Sequence, residues 1–210
     1  MDPIQRTIRS YDEIAEEYCE KTLKNGDREL QKSMLDKTIS YLQEGARIID
    51  LGCGDGRDTD HLKRKGFDVV GIDLSRSMIN LARKKYPDCT FIQMDMRDTI
   101  FPEDTFHFAW ANAAIINLPK SEFSQLESEI YRILDKDGIF AFSFKKGEGE
   151  GMEDGGVLTD EPHPRYFSYY TLEEIEEELN LFDIIDSEES GSEIFGSKFI
   201  YCWARPKGKK

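Results

Sequence analysis

A short apolar strand that runs into three closely spaced glycines is the feature that most constrains this chain. Arg47–Leu51 is followed by Gly52, Gly54 and Gly56, and a helical pattern begins at Asp58. Glycine tolerates positive φ and lets the backbone approach a ligand closely. In a doubly wound sheet such a turn lies at the carboxyl end of a strand, where ligands bind. By itself, the turn also fits a tight strand–helix connection that binds nothing.

Strands and helices alternate after this turn. The apolar segments that predict strands are Arg47–Leu51, Phe67–Ile72, Thr90–Met94, Phe106–Ala111 and Ile139–Phe144. Ser75 is placed to cap the helix after the second strand, and Pro87 ends that helix. The alternation predicts a parallel sheet that helices cover on both faces, and right-handed crossovers then fix its winding.

The two ends of the chain extend this pattern. Residues 1–44 predict a helical cap of two helices, broken near Gly26. Phe182–Ile185 and Lys198–Ala204 predict a terminal hairpin around a polar turn. There is no internal repeat and no segment with the composition of a linker, so we expect residues 1–210 to form one domain.

Residues 145–170 differ from the rest of the chain. They are rich in glycine and glutamate, and then in aromatic side chains. Loops of this length inside a domain are usually functional or disordered. We predict a lid that shapes an acceptor pocket and excludes water, with a mobile acidic surface loop as the alternative. His163 and Arg165 are the residues of this lid best placed to contact an acceptor.

Three aspartates end three strands of the predicted sheet. Asp50 closes the first strand, Asp73 follows the second, and Asp95 follows the third. Carboxylates that cluster repel one another unless a ligand or solvent relieves them, and an adenosine with a cationic tail would do so. Asp73 is placed to accept hydrogen bonds from both ribose hydroxyls. Asp95 is placed to accept one from the adenine amine.

Charge and composition restrict the partners of the chain. It has 42 acidic and 28 basic residues, for a formal net charge of −14, and such a field disfavours nucleic acid. No apolar run approaches the roughly 20 residues that span a bilayer, and the N-terminus has no apolar secretory segment. We therefore expect a cytoplasmic protein with no membrane partner. Four widely spaced cysteines predict reduced thiols, and three scattered histidines indicate no metal site.

Four segments together resemble the motifs of class I S-adenosylmethionine-dependent methyltransferases. IIDLGCGDG (residues 48–56) is similar to their first motif, and GIDLS (71–75) to their acidic ribose-binding motif. FIQMDMRD (91–98) is similar to their adenine-binding motif, and LDKDGIFAFSF (134–144) to the approach to their fifth strand. The resemblance implies an α/β fold with a doubly wound, Rossmann-like, seven-stranded and mostly parallel sheet. The implied strand order is 3-2-1-4-5-7-6, with the last strand antiparallel and helices at the N-terminus.

The same resemblance implies a binding site for S-adenosyl-L-methionine. Gly52 and Gly54 would face the methionine part of this cofactor. Leu74 and Met96 resemble the apolar walls that flank adenine, and Met78 either adds to that wall or belongs to the helix core. The implied cofactor-binding residues are Asp50, Gly52, Cys53, Gly54, Asp73, Leu74, Met78, Asp95, Met96, Ala111 and Tyr18. No catalytic residue is assigned, because the sulfonium is already an activated methyl donor.

Some positions depart from the family pattern or have two interpretations. His107 stands where many relatives have aspartate, and it is interpreted as structural because the start of a strand lies away from the crevice. Asn117 stands where many small-molecule relatives have histidine, and its simplest role is to cap the next helix. Tyr11 and Tyr18 lie on a segment similar to the helix that closes over the cofactor in relatives, where an aromatic face favours positive charge. Otherwise they edge an amphipathic helix.

These observations favour a methyltransferase that acts on a small molecule. A methyltransferase acting on protein or RNA remains an alternative, although the net charge disfavours RNA. A non-catalytic protein that binds S-adenosylmethionine is a second alternative. A nicotinamide-dependent dehydrogenase would share the fold type, but the spacing of Asp50 from Gly52 and Gly54 and the terminal hairpin disfavour it. The sequence does not indicate an oligomeric state.

Overall fold

A single β-sheet forms the centre of the fold in the computed structural model. The structure describes residues 2–25, 28–154, 161–192 and 197–209. The strands are β1 (Arg47–Leu51), β2 (Asp68–Asp73), β3 (Thr90–Gln93), β4 (Phe106–Ala111), β5 (Leu134–Lys146), β6 (Glu150–Glu153), β7 (Arg165–Tyr170), β8 (Phe182–Ser192) and β9 (Ser197–Pro206). The helices are α1 (Pro3–Asn25), α2 (Arg28–Ile39), α3 (Arg57–Arg64), α4 (Arg76–Lys85), α5 (Phe123–Ile133) and α6 (Leu172–Glu178).

The strand order agrees with the prediction. β3, β2, β1, β4 and β5 lie side by side in that order, and all four pairings are parallel. β9 pairs antiparallel with β5, and β8 pairs antiparallel with β9. When β8 and β9 are counted as the sixth and seventh strands of the common fold, the order is 3-2-1-4-5-7-6 with the last strand antiparallel. The predicted doubly wound α/β fold is therefore confirmed.

Side chains of successive residues in the central strands point to opposite faces of the sheet. Ile48 and Trp110 join an apolar cluster to which α2 and α3 contribute. Ile49 and Phe142 join a second cluster to which α5 and α6 contribute. All four side chains are essentially inaccessible to water. Helices thus cover both faces, as expected for parallel strands with near-continuous apolar sequences.

The boundaries around α5 differ from the prediction. Pro119 in the sequence indicates a helix start, but α5 begins at Phe123, because a short 3₁₀ turn, Lys120–Glu122, intervenes. Residues 135–138 (DKDG) have the composition of a turn but lie inside β5. Phe106 pairs with Leu134 and Phe108 pairs with Ile139, so a shift of register absorbs the additional residues. The polar residues and glycine of this segment are typical of a turn and also of an irregular strand start, so the local sequence does not distinguish the two.

Two stretches of the segment predicted as an irregular loop, residues 150–153 and 165–170, form strands. β6 and β7 pair antiparallel, with Glu150 opposite Ser168 and Glu153 opposite Arg165. β7 also pairs with the end of β5, where Lys145 lies opposite Tyr169. The alternating aromatic residues of β7 are buried in part against the main core, and this burial is what the composition did not reveal. Residues 155–160 lie outside the described residues.

The termini pack against the sheet and its helices. α1 and α2 confirm the two predicted N-terminal helices, and the predicted terminal hairpin is present as the longer strands β8 and β9. Its turn, residues 193–196, lies outside the described residues. The Lys209 ammonium donates hydrogen bonds to the carbonyl groups of Tyr131, Arg132 and Leu134, so this basic end is tied to α5. Across the described ranges, none of the helices is long and apolar enough to cross a membrane.

Replacement of Ile130 on α5 tests the core directly. Ile130→Ala should lower the free energy of unfolding by about 2–5 kcal/mol, because it empties a fully buried site in the cluster beneath α5. Ile100→Ala makes the same change at a side chain that is 78% exposed, and should alter stability by less than about 0.5 kcal/mol. Urea denaturation of both variants measures the difference. Equal losses would contradict the core described here.

Candidate functional site

The turn between β1 and α3 has a backbone that suits glycine. Gly52 has a φ of 68° and Gly54 a φ of 54°, both in the left-handed region. A Cβ added at Gly52 would lie 2.5 Å from the Cβ of Ala114, so the segment that follows β4 packs directly on the turn. A side chain at Gly52 would therefore force the two strand ends apart. Glycine is therefore required here for two reasons: the positive φ of both residues and the close packing of Ala114 on Gly52.

The predicted carboxylates meet at one cavity. Its volume is about 460 Å³, which lies within the range of roughly 300–1,000 Å³ that is usual for small-molecule sites. Asp50, Asp73 and Asp95 all line it, together with Gly52 and Gly54. They converge because β1, β2 and β3 are adjacent and parallel, so their carboxyl ends lie at the same edge of the sheet. The predicted convergence is confirmed as geometry.

Asp50 lies at the floor of this cavity and is 2% exposed. Its carboxylate accepts a hydrogen bond of 2.6 Å from the Thr59 hydroxyl of α3. Burial, and then the nearby charge of Asp58, raise the pKa of Asp50 to about 8. The group consequently holds a proton through most of the neutral range, until a cation or other favourable contact lowers its pKa.

Asp73 ties the glycine turn to the next strand. One of its carboxylate oxygens accepts a hydrogen bond of 3.0 Å from the backbone N–H of Gly54, and the other accepts one of 2.8 Å from that of Ser75. Burial raises its pKa, although these backbone hydrogen bonds work in the opposite direction. A carboxylate has about four lone-pair sites, so Asp73 keeps acceptor capacity towards the cavity.

Asp95 has a protein partner that the sequence did not suggest. Arg97 holds it in a two-pronged contact, with Nε at 3.0 Å from one oxygen and Nη2 at 2.5 Å from the other. Burial alone would raise the pKa of Asp95, but the hydrogen bonds and charge of Arg97 outweigh it and bring the pKa below its ordinary value. Arg97 also binds Glu122 at 3.0 Å, so Asp95 is fixed in place at the edge of the cavity.

Most of the other predicted residues line the same cavity. Those that do are Tyr18, Cys53, Leu74, Met78 and Met96. Ala111 is not among the lining residues. It is fully buried in β4, where it pairs with Phe142, and the lining begins one residue later at Asn112.

α1 is held against the cavity by contacts that sequence reasoning missed. The Asp12 carboxylate accepts hydrogen bonds from the Ser75 hydroxyl at 2.6 Å and from the backbone N–H of Ser77 at 2.9 Å. Both donors belong to the first turn of α4, where a negative charge is favourable. On the same side, Cys19 lies 3.8 Å from the sulfur of Met78. The sequence signal was an aspartate three and seven residues before Ala15 and Cys19, on the helix face that packs against Met78 of α4.

A second group of contacts joins α1 to β7 across the cavity. The Tyr11 hydroxyl donates to the side-chain oxygen of Asn117 at 3.0 Å and accepts from the Arg165 guanidinium at 3.1 Å. Asn117 in turn donates to the backbone carbonyl of Tyr166 at 2.6 Å. Asn117 therefore connects α1 with β7, and the prediction that it caps a helix was wrong. Tyr11 and Tyr18 both line the cavity, so they are not merely the edge of an amphipathic helix.

The histidines lie away from these contacts. His107 accepts a hydrogen bond of 2.9 Å from the backbone N–H of Arg47, at the amino end of the strands, which confirms its structural interpretation. His163 lies 3.5 Å from Glu13 of α1 and does not line the cavity. Its predicted contact with an acceptor is therefore not supported by its position. Arg165, predicted with it, does line the cavity.

Comparison with known proteins adds an independent observation. A family model described as "Methyltransferase domain" matches residues 48–138. The chain is 34% identical over 116 residues to a putative methyltransferase of Bacillus subtilis, in an alignment that covers 51% of this chain and 47% of that protein. It is also 34% identical over 96 residues to the trans-aconitate 2-methyltransferase of Escherichia coli, which covers 45% of this chain and 37% of the relative. The chain thus spans about half or less of the length of these relatives.

The fold also matches solved structures over more of the chain. One is the Burkholderia thailandensis 1,6-didemethyltoxoflavin-N1-methyltransferase, solved with 1,6-didemethyltoxoflavin and S-adenosylhomocysteine. The match has a TM-score of 0.75 at 19% identity and covers 98% of this chain and 91% of that one. The matched segment 48–138 contains the glycine turn and the cavity residues Asp50, Asp73 and Asp95. Residues 48–138 are thus similar to a methyltransferase domain, and the fold of the chain is the one found in solved S-adenosylmethionine-dependent methyltransferases.

Proposed function

We propose that this protein binds S-adenosylmethionine in the cavity and transfers its methyl group to a small-molecule acceptor. The observation that carries the proposal is the convergence of Asp50, Asp73 and Asp95, beside Gly52 and Gly54, on one cavity. Burial raises the pKa of Asp50 and of Asp73, so both carboxyl groups gain from a ligand that brings positive charge or hydrogen-bond donors. An adenosyl sulfonium with an amino group brings both.

The residues of the cavity fit this ligand. Asp73 has lone pairs left for the ribose hydroxyls after its two backbone hydrogen bonds. Leu74 and Met96 provide apolar walls beside it, which suits a nucleobase. Gly54 has open space where a side chain would stand, so a ligand has room to lie against the backbone there. When bound, S-adenosylmethionine supplies a methyl group already activated by a sulfonium.

The protein's own residues would act mainly by position. Holding two reactants in line contributes up to roughly 7–11 kcal/mol in favourable cases. Tyr11 and Tyr18 present aromatic rings to the cavity at 5.4 Å from each other, and ring faces favour a positive charge. α1 and the β6–β7 hairpin line the cavity opposite the strand ends and, in this proposal, act as the lid that excludes water. No general base is assigned.

A small acceptor agrees with the shape and charge of the site. The cavity lies under α1 and β7 rather than on an open face, which suits a metabolite better than a folded macromolecule. The formal net charge of −14 opposes RNA. The Escherichia coli relative is named for trans-aconitate, a small molecule, which supports the same class. Four free cysteines, three of them buried, support a reducing compartment such as the cytoplasm as the place of the reaction.

Asp73→Asn should weaken binding of S-adenosylhomocysteine. It removes a charged acceptor from the ribose site and keeps the shape of the side chain, so we expect a loss of affinity of roughly 10- to 100-fold. Asp68→Asn, at the other end of β2, is exposed and should leave affinity unchanged. Isothermal titration calorimetry measures both, with thermal melts to check folding. Equal affinities in the two variants would overturn the cofactor assignment.

Binding of S-adenosylmethionine should depend on pH through Asp50. With a pKa of about 8 in the free protein, Asp50 is mostly protonated near pH 7. A bound cation favours the carboxylate and releases the proton, so affinity should rise from about pH 6 to about pH 8 and then level off. Asp50→Asn should make this rise shallower. Calorimetry in buffers of different ionisation enthalpy measures the released proton, and identical profiles for both proteins would contradict this role.

The activity itself can be tested without knowledge of the acceptor. The protein is incubated with methyl-labelled S-adenosylmethionine and a cell extract, which is then divided into small-molecule, protein and RNA fractions. We expect label in the small-molecule fraction, and at least about tenfold less with Asp73→Asn. Label in protein or RNA alone would replace the proposed acceptor class. Tight binding without label in any fraction would indicate a non-catalytic binding protein.

A further inference from the structure

Two cationic side chains line the cavity on the side away from Asp73 and Asp95. Lys145, at the end of β5, and Arg165, at the start of β7, both line it. The strand order β3-β2-β1-β4-β5-β7 places them on the other side of β4 from the strands that carry the aspartates. The cavity therefore has an acidic region at β1–β3 and a basic region at β5–β7.

Lys145 is a partly buried lysine whose ammonium rests on aromatic rings. Its Nζ lies 3.9 Å from the centre of the Phe167 ring and 5.5 Å from that of Tyr169. Within the part of the chain that the structure describes, no carboxylate oxygen forms an ion pair with it. Burial lowers its pKa from the ordinary value. A lysine in this position gains from any anion that enters the cavity.

Lys146, the next residue of β5, forms an ion pair at the surface. Lys146 Nζ binds Glu189 at 2.6 Å, and its side chain is exposed. Consecutive residues of a strand point to opposite faces, so Lys145 is directed to the cavity while Lys146 is directed away. Glu189 thus pairs with the lysine that faces outward, whereas in the described ranges no carboxylate forms an ion pair with the lysine that faces the cavity.

Arg165 supplies the second charge and is 5% exposed. Its guanidinium carbon lies 5.1 Å from the Tyr11 ring, 5.3 Å from the Tyr18 ring and 5.4 Å from the Phe167 ring. The Phe167 ring thus contacts two cations, Lys145 of β5 and Arg165 of β7. The rings fix the guanidinium and keep a positive charge in a place with little water, where its attraction for an anion is strong.

One acidic residue faces the same region. Glu153 of β6 lines the cavity and lowers the net positive charge there, but its carboxylate is held by the Tyr169 hydroxyl. The balance of Lys145, Arg165 and Glu153 is one positive charge. A singly charged carboxylate matches this balance, whereas a dianionic phosphate would exceed it.

We infer that the methyl acceptor is a small carboxylic acid whose carboxylate binds between Lys145 and Arg165, against the ring of Phe167. This inference rests on the proposed methyltransferase function, because it takes the acidic region to be occupied by the cofactor. It assigns recognition of the acceptor to the two cations and leaves open which acceptor atom receives the methyl group.

The test is binding of a matched series to the protein saturated with S-adenosylhomocysteine. The series is benzoate, benzamide, benzylamine and phenyl phosphate, with butyrate and butyramide as an aliphatic pair. Ligand-observed NMR titration gives the dissociation constants. We expect a carboxylate to bind at least roughly tenfold more tightly than its amide, and more tightly than the amine and the phosphate.

Lys145→Met and Lys146→Met separate the cavity from the surface. Lys145→Met should weaken carboxylate binding by roughly tenfold or more and leave affinity for S-adenosylhomocysteine unchanged. Lys145→Arg should restore part of the loss, and Lys146→Met should have no effect on either ligand.

The outcomes distinguish the inference from the function on which it rests. If S-adenosylhomocysteine does not bind the native protein, the proposed function is wrong. Normal cofactor binding with no preference for carboxylates would overturn the inference alone, as would preference for the phosphate. Loss of cofactor affinity in Lys145→Met would also overturn it, because the lysine would then serve the carboxylate of the cofactor.

Discussion

The site depends on a single constraint: parallel strands joined by helices all end at the same edge of their sheet. That constraint brings together aspartates that are far apart in sequence, and the hydrogen bonds of Asp73 then fix their arrangement. The backbone N–H groups of Gly54 and Ser75 both donate to its carboxylate, so the glycine turn after β1 and the start of α4 share one anchor. If this anchor moved, the floor and one wall of the cavity would move together.

Packing of α1 completes the site from the opposite side. Asp12 binds the first turn of α4, and Tyr11 is linked through its hydroxyl to Asn117 and Arg165. These contacts connect the N-terminal helix to both the acidic and the basic region of the cavity. Buried side chains of the helix, such as Ile4 and Ala15, reinforce them, so α1 is packed as part of the cavity wall.

Charge is distributed within the cavity in a way that the net charge of the protein conceals. The chain as a whole is strongly acidic, with a formal net charge of −14, yet its cavity contains both an acidic and a basic region. Field strength inside a partly buried site is set by the nearest groups, because solvent and salt screen the more distant ones. A cationic cofactor and an anionic acceptor would therefore each find an opposite charge, and would be drawn towards each other.

The sequence by itself determined the parallel sheet, the glycine turn and the convergence of Asp50, Asp73 and Asp95, because these follow from local periodicity and from motifs placed at strand ends. The strand order came from the resemblance of those motifs to a known family. It did not determine the pairing of Asp95 with Arg97, the links of Asn117 or the position of Lys145. Nor could composition distinguish the β6–β7 hairpin from a loop. Only the tertiary structure decided these features, since each depends on which side chains from separate elements come within hydrogen-bonding or packing distance once the chain has folded.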